Sequence, residues 1–144
     1  MGAIVGLYGK LPAQGDFINR GVPAAVEAAW TRWLDGCLAS AKAALDDYWL
    51  PTYLSSPPWR FALDPGLIGP SAFVGVVASS VDKVGRAYPL TGLLALPPPL
   101  ALPDLEGSSE HPFAEIETIL LEAIDGAIDA DAAAARIAPL AAQL

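Results

Sequence analysis

The chain has 144 residues, 53% of them hydrophobic, with a single cysteine and a formal charge of −8. That composition fits one domain able to bury a core without disulfides or a structural metal, and Cys37 alone excludes a disulfide-stapled scaffold and the common zinc-finger patterns. The charge is uneven: residues 1–103 carry seven acidic and seven basic side chains, whereas 104–144 carry nine acidic ones against Arg136 alone. With no cluster of Lys and Arg to offset the acidity, nucleic acid is excluded as a partner and basic protein surfaces are favoured.

In chain order, Ala3 to Tyr8 is a short apolar run bounded by glycine and reads as a buried strand. It lacks the basic start and the long apolar stretch of a signal peptide. Lys10 to Val22, rich in Gly, Pro, Asn and Asp, reads as a loop. From Pro23 to Trp49 the apolar residues fall at helical spacing, with Glu27, Thr31, Asp35, Lys42 and Asp46 on the other side, which predicts one long amphipathic helix. Gly36 inside it calls for close packing or a bend. Trp30, Trp33 and Trp49 lie on the apolar stripe, and Trp59 on a strand, so core packing is the favoured reading over an aromatic platform.

Trp59, Phe61 and Leu63 alternate with Arg60 and Ala62, the period of a half-buried strand, and Asp64-Pro65-Gly66 ends it. Phe73 to Val77 and Leu90 to Leu96 are apolar on both faces, as central strands are, with Gly75 and Gly92 permitting close approach. The short loop between them makes the pair an antiparallel hairpin. Pro97 to Pro103 reads as an extended spacer, and its prolines prevent the apolar window from spanning a membrane. A second helix follows, with Phe113, Ile116, Leu120, Ala123 and Ala127 on one stripe and Glu115, Glu122, Asp125 and Asp129 facing water. The Ala-rich end offers little to bury beyond Ile137 and Leu140, and its last few residues are expected to fray. The order of elements predicts an α/β fold: a single-domain sandwich with a largely antiparallel central sheet and packed helices.

Motifs for chemistry are mostly missing. Gly9-Lys10 follows a strand as in a phosphate loop, but Ile4 stands where the first glycine belongs and Leu11 where the magnesium-binding hydroxyl belongs. His111 is the only histidine, and no serine sits in a G-x-S-x-G elbow. The acidic pairs Asp46-Asp47 and Asp129-Asp131 lack metal-site spacing, and no cofactor is implied. Two loops stand out instead. Lys10, Asp16 and Arg20 lie on the first, and Ser80, Asp82, Lys83 and Arg86 on the second, each mixing both charges with glycines. These seven residues are the candidate partner-binding positions. The alternative role is to hold the loops by ion pairs, for instance Arg86 with Asp16 or Asp82.

The same loops carry a family resemblance. The segment GLYGKLPAQGDFINRGVP from Gly6 to Pro23, then PPWRFAL from Pro57, then GPSAFVGVVASSVDKVGRAYPLT from Gly69 to Thr91 together resemble the TagF family of type VI secretion system-associated proteins. The matching order is GKLPxxGDF with a following Arg, WxFxL and SVDxVGRxxPL, so residues 6–91 bear the motifs and the acidic helical tail 104–144 bears none. Phe73 stands where the family often has Trp, and Leu7 where an aromatic is common. The resemblance implies a single TagF-like domain over residues 1–144, with a fold like longin or profilin-like domains. It implies a cytoplasmic, non-enzymatic post-translational repressor of type VI secretion that contacts the forkhead-associated scaffold protein Fha or another component of the apparatus. It also implies a functional link to a threonine kinase and phosphatase pathway. The alternatives are a small hydrolase or phosphate-handling enzyme built on Lys10, Asp16, Ser80 and Arg86, and a domain sensing a small molecule in a groove between sheet and helix.

Overall fold

Two apolar hairpin strands, buried on both faces, fix the centre of the molecule. In the computed structural model, which describes residues 5–96, 102–105 and 110–144, β4 (Phe73–Ala78) and β5 (Leu90–Ala95) pair antiparallel with Gly75 opposite Leu93. Strand β1 (Val5–Gly9) joins the other side of β5 and β3 (Trp59–Leu63) the other side of β4, both antiparallel. The sheet order is β2-β1-β5-β4-β3, so β3 forms one edge. The glycines do what the sequence predicts: a Cβ on Gly75 would stand 2.3 Å from the Gly92 carbonyl oxygen, and one on Gly92 would meet Ile116 at 2.8 Å.

The period-two alternation of the strands sorts their side chains between two helical layers. Leu7, Val74, Val76, Leu90 and Leu94 point to one face, against Ile116, Ile119 and Leu120 of α3 (Glu110–Ile124) and Ala133 and Ile137 of α4 (Ala130–Ile137). Tyr8, Phe73, Leu93 and Ala95 point to the other, against Val26, Trp30 and Leu34 of α1 (Ala24–Leu45). The chain is thus an α/β sandwich with a wholly antiparallel five-stranded sheet between helices, as the sequence predicts. No helix among the described residues is long and apolar enough to cross a membrane.

Four local expectations change. The segment read as a loop contains a short strand, β2 (Ile18–Arg20), paired to β1. Asn19 then turns the chain into α1: its amide donates to the Val22 carbonyl at 3.0 Å and to Glu27 at 2.8 Å, and its oxygen accepts from Val22 N at 3.0 Å. The long helix breaks after Leu45, where Asp46 adopts φ 46°. A 3-10 turn (Asp46–Tyr48) and α2 (Trp49–Ser55) follow. Gly36 is exposed and a Cβ there would meet nothing within 4 Å, so close packing is not its role. The chain's end is packed rather than frayed. Asp129 caps α4 by accepting from Ala132 N at 2.8 Å, Ala130, Ala133, Ile137 and Leu140 are buried, and a 3-10 segment runs to Gln143. Alanine side chains let that helix sit close to β1 and α3, so few atoms seal the face. Of the proline spacer, residues 97–101 lie outside the described residues, and Leu102–Leu105 is a 3-10 turn.

The acidic stripe is also not simply solvated. Arg60 on β3 bonds both Glu110, at 2.7 Å, and Glu117 of α3. Arg20 on β2 bonds Asp131 of α4 at 2.6 Å, and Arg136 bonds Glu122. Both edge strands are therefore tied to the same helical layer.

Candidate functional site

Strand β1 ends at Gly9 and β4 ends at Ala78, and the loops that leave them meet beside the sheet. Asp82 lies at the meeting point with its side chain fully buried. Its Oδ2 accepts from Lys10 Nζ at 3.1 Å and from Arg86 Nε at 2.7 Å. Its Oδ1 accepts from the backbone N of Val84 at 3.0 Å and of Arg86 at 2.9 Å. Burial pushes the Asp82 carboxyl upward, but those four donors outweigh it and hold the group well below the usual carboxylate range. The carboxylate therefore stays charged and works as the hub of both loops.

Neighbouring bonds close the junction. Ser80 Oγ donates to the Lys10 carbonyl at 2.7 Å. Lys83 N donates to the Gln14 carbonyl at 2.7 Å, and Arg86 Nη2 to the Gly15 carbonyl at 3.1 Å. Tyr53 of α2 donates its hydroxyl to the Ser80 carbonyl at 2.7 Å and accepts from Ser80 N at 2.9 Å. Burial pushes that phenol up to about 12, while the Ser80 backbone bond pulls it back a little. Lys10 Nζ also stands 4.9 Å from the centre of the Phe17 ring, which stacks on Tyr8.

Of the seven positions singled out in the sequence, Lys10, Ser80, Asp82 and Arg86 come together and the other three do not join their bonds. Asp16 is exposed and accepts from Phe17 N at 2.7 Å, so the partner of Arg86 is Asp82 and not Asp16. Arg20 points to Asp131 of α4. Lys83 reaches the junction only through its backbone, and its side chain is exposed. What this cluster presents outward is the Arg86 side chain, 65% exposed, beside Lys83, Val84 and Phe17, all exposed.

The Ser80 hydroxyl is buried and bonded to main chain, and His111 belongs to the first turn of α3. Among the described residues no group of His, Cys, Asp and Glu is placed to hold a metal ion.

The sequence reading names a groove between sheet and helix as an alternative site, and the structure contains one, but lined by tryptophans assigned to the core. A groove of about 480 Å³ runs between α1, α2 and the face of β3 and β4. Trp30 is core as predicted, its Nε1 donating to Thr91 Oγ1 at 2.9 Å. Trp33 and Trp59, however, line the groove and are 53% and 63% exposed. The available signal was the width of the apolar stripe on the first helix, which holds more large side chains than one sheet face can cover.

The fold and the junction define an α/β sandwich domain whose charged motif locks two loops into one surface. Residues 6–140 match the family described as TagF N-terminal domain, Type VI secretion system-associated, and the chain belongs to that family. It is also similar to PA0076 from Pseudomonas aeruginosa PAO1, known from a crystal structure. The two are 40% identical with a TM-score of 0.87, over 94% of this chain and 62% of that one. The chain thus spans less than two thirds of that protein's length. Comparison with curated proteins gives no match.

Proposed function

We propose that this domain is a cytoplasmic, non-enzymatic repressor of type VI secretion that acts after translation by contacting the Fha scaffold, within a threonine kinase and phosphatase pathway. The contact is made by the joined loops. The observation that supports this reading is the full internal bonding of Asp82: it fixes the loops in one shape and leaves the Arg86 guanidinium, Lys83, Val84 and Phe17 at the surface. A rigid, mixed basic and apolar surface of this kind suits protein recognition, because little ordering cost remains to be met on binding.

The test is co-purification of the tagged chain from cells that make the secretion apparatus, at two salt concentrations, with Arg86→Ala, Lys83→Glu and Asp82→Ala in parallel. Recovery of Fha that falls at high salt and is lost in Lys83→Glu, whose exposed side chain takes no part in the junction's bonds and whose melting temperature should be little changed, supports the reading. Retention of Fha by all three variants, or no Fha with soluble wild-type chain, overturns it.

A further inference from the structure

The groove on the α1 side is an apolar surface with both a cavity and projecting side chains. Trp33 stacks on Trp30 at 5.0 Å, and Trp30 stacks on Phe61 of β3 at 4.7 Å, so an aromatic ladder runs from the core out to solvent. Trp59 and Leu45, 63% and 36% exposed, also line the groove. Next to the lining residues Trp49 and Tyr53, the side chains of Tyr48, Leu50 and Leu54 are 76%, 45% and 55% exposed. An aromatic side chain offers roughly 150–250 Å², so the three exposed aromatics show roughly 400 Å² together. With the leucines the patch comes to roughly 600 Å², at or above the largest apolar patch of an ordinary monomer.

We propose that this face is the interface of a homodimer, in which each copy places Trp59 and Trp33 against the groove of the other. Two observations favour a second copy as the occupant. A specific interface takes roughly 600–1,000 Å² from each partner, and this patch of roughly 600 Å² reaches the lower end of that range. A twofold interface also needs one surface to offer both the projecting and the receiving part. Here the exposed indoles and a groove of about 480 Å³ lie on the same face. The bonds of Arg86 and Asp82 lie outside this face, so dimer formation and partner contact through the loops are separable.

Sedimentation equilibrium of the full chain over about 1–200 µM tests this. The expected result is a monomer–dimer equilibrium, with Trp59→Asp and Trp33→Asp each raising the dimer Kd at least about tenfold, while Lys83→Glu leaves it unchanged. Both tryptophans are more than half exposed, so circular dichroism should show the variants folded. A wild-type chain that stays monomeric at about 200 µM overturns the proposal, as does a dimer equally tight in both aspartate variants. Binding of a different protein to a monomeric chain through this groove also overturns it.

Discussion

The loop junction and the α1 groove are opposite solutions at neighbouring places. In the junction, charged side chains that look like surface residues are buried and bonded to one another around Asp82. In the groove, tryptophans that look like core residues stand in solvent. Tyr53 belongs to both, its ring lining the groove and its hydroxyl bonded to Ser80. The contrast teaches that residue type sets the cost of an environment, while the environment itself depends on which segments the fold brings together. A buried carboxylate is tolerable where four donors converge on it, and an exposed indole is tolerable where a partner can cover it.

The strongest way to break the contrast is Asp82→Ala. It strands the Lys10 ammonium, whose side chain is only 11% exposed, and should lower the melting temperature by roughly 12 °C in a thermal melt followed by circular dichroism. The same group sets the acid limb of stability. Its folded carboxyl titrates below the usual value of 3.8, so between the two values the unfolded chain holds the extra proton and stability rises with pH. The Asp82 contribution is complete above about pH 4 and drains away as the pH falls further. A series of melts from about pH 2 to 7 should show that loss in the wild type and a flatter limb in Asp82→Asn.

Gly9→Ala attacks the start of the first loop. At φ 139° its Cβ would stand 2.1 Å from the Pro89 carbonyl oxygen, and the backbone must shift. The expected cost is about 3 kcal/mol, read as a fall of about 8 °C. Trp30→Phe tests the inner end of the aromatic ladder. It leaves the buried Thr91 hydroxyl without its Trp30 donor and should cost about 2 kcal/mol in urea unfolding. At the outer end, Trp59→Ala should change stability by no more than about 0.5 kcal/mol in the same measurement. A large loss there would place Trp59 with the core and erase the difference between the two regions.

Much of the fold was legible. The period-two run at Trp59–Leu63, the runs apolar on both faces at Phe73–Val77 and Leu90–Leu96, and the helical stripe carrying Val26, Trp30 and Leu34 stand where the sequence puts them. Strand β2 was not legible, because three residues within a turn-rich segment make no periodic pattern and pair only when β1 is beside them. Helix α4 was under-read because burial of alanine depends on how closely two backbones approach, not on side-chain size. The candidate site was half legible: four of its seven residues meet, whereas Arg20 is drawn to α4 and Asp16 and Lys83 keep their side chains at the surface.

The sequence by itself determined the α/β class, the antiparallel hairpin at the centre, the acidic tail and the family motifs, since these follow from local spacing and residue type. Only the tertiary structure decided which charges are buried, which tryptophans are exposed, and that Arg60 and Arg20 tie the sheet edges to the acidic helices. Those outcomes depend on contacts between segments far apart in the chain, up to 111 residues for Arg20 and Asp131, and the free energy of a charge or an indole is set by what such contacts leave around it.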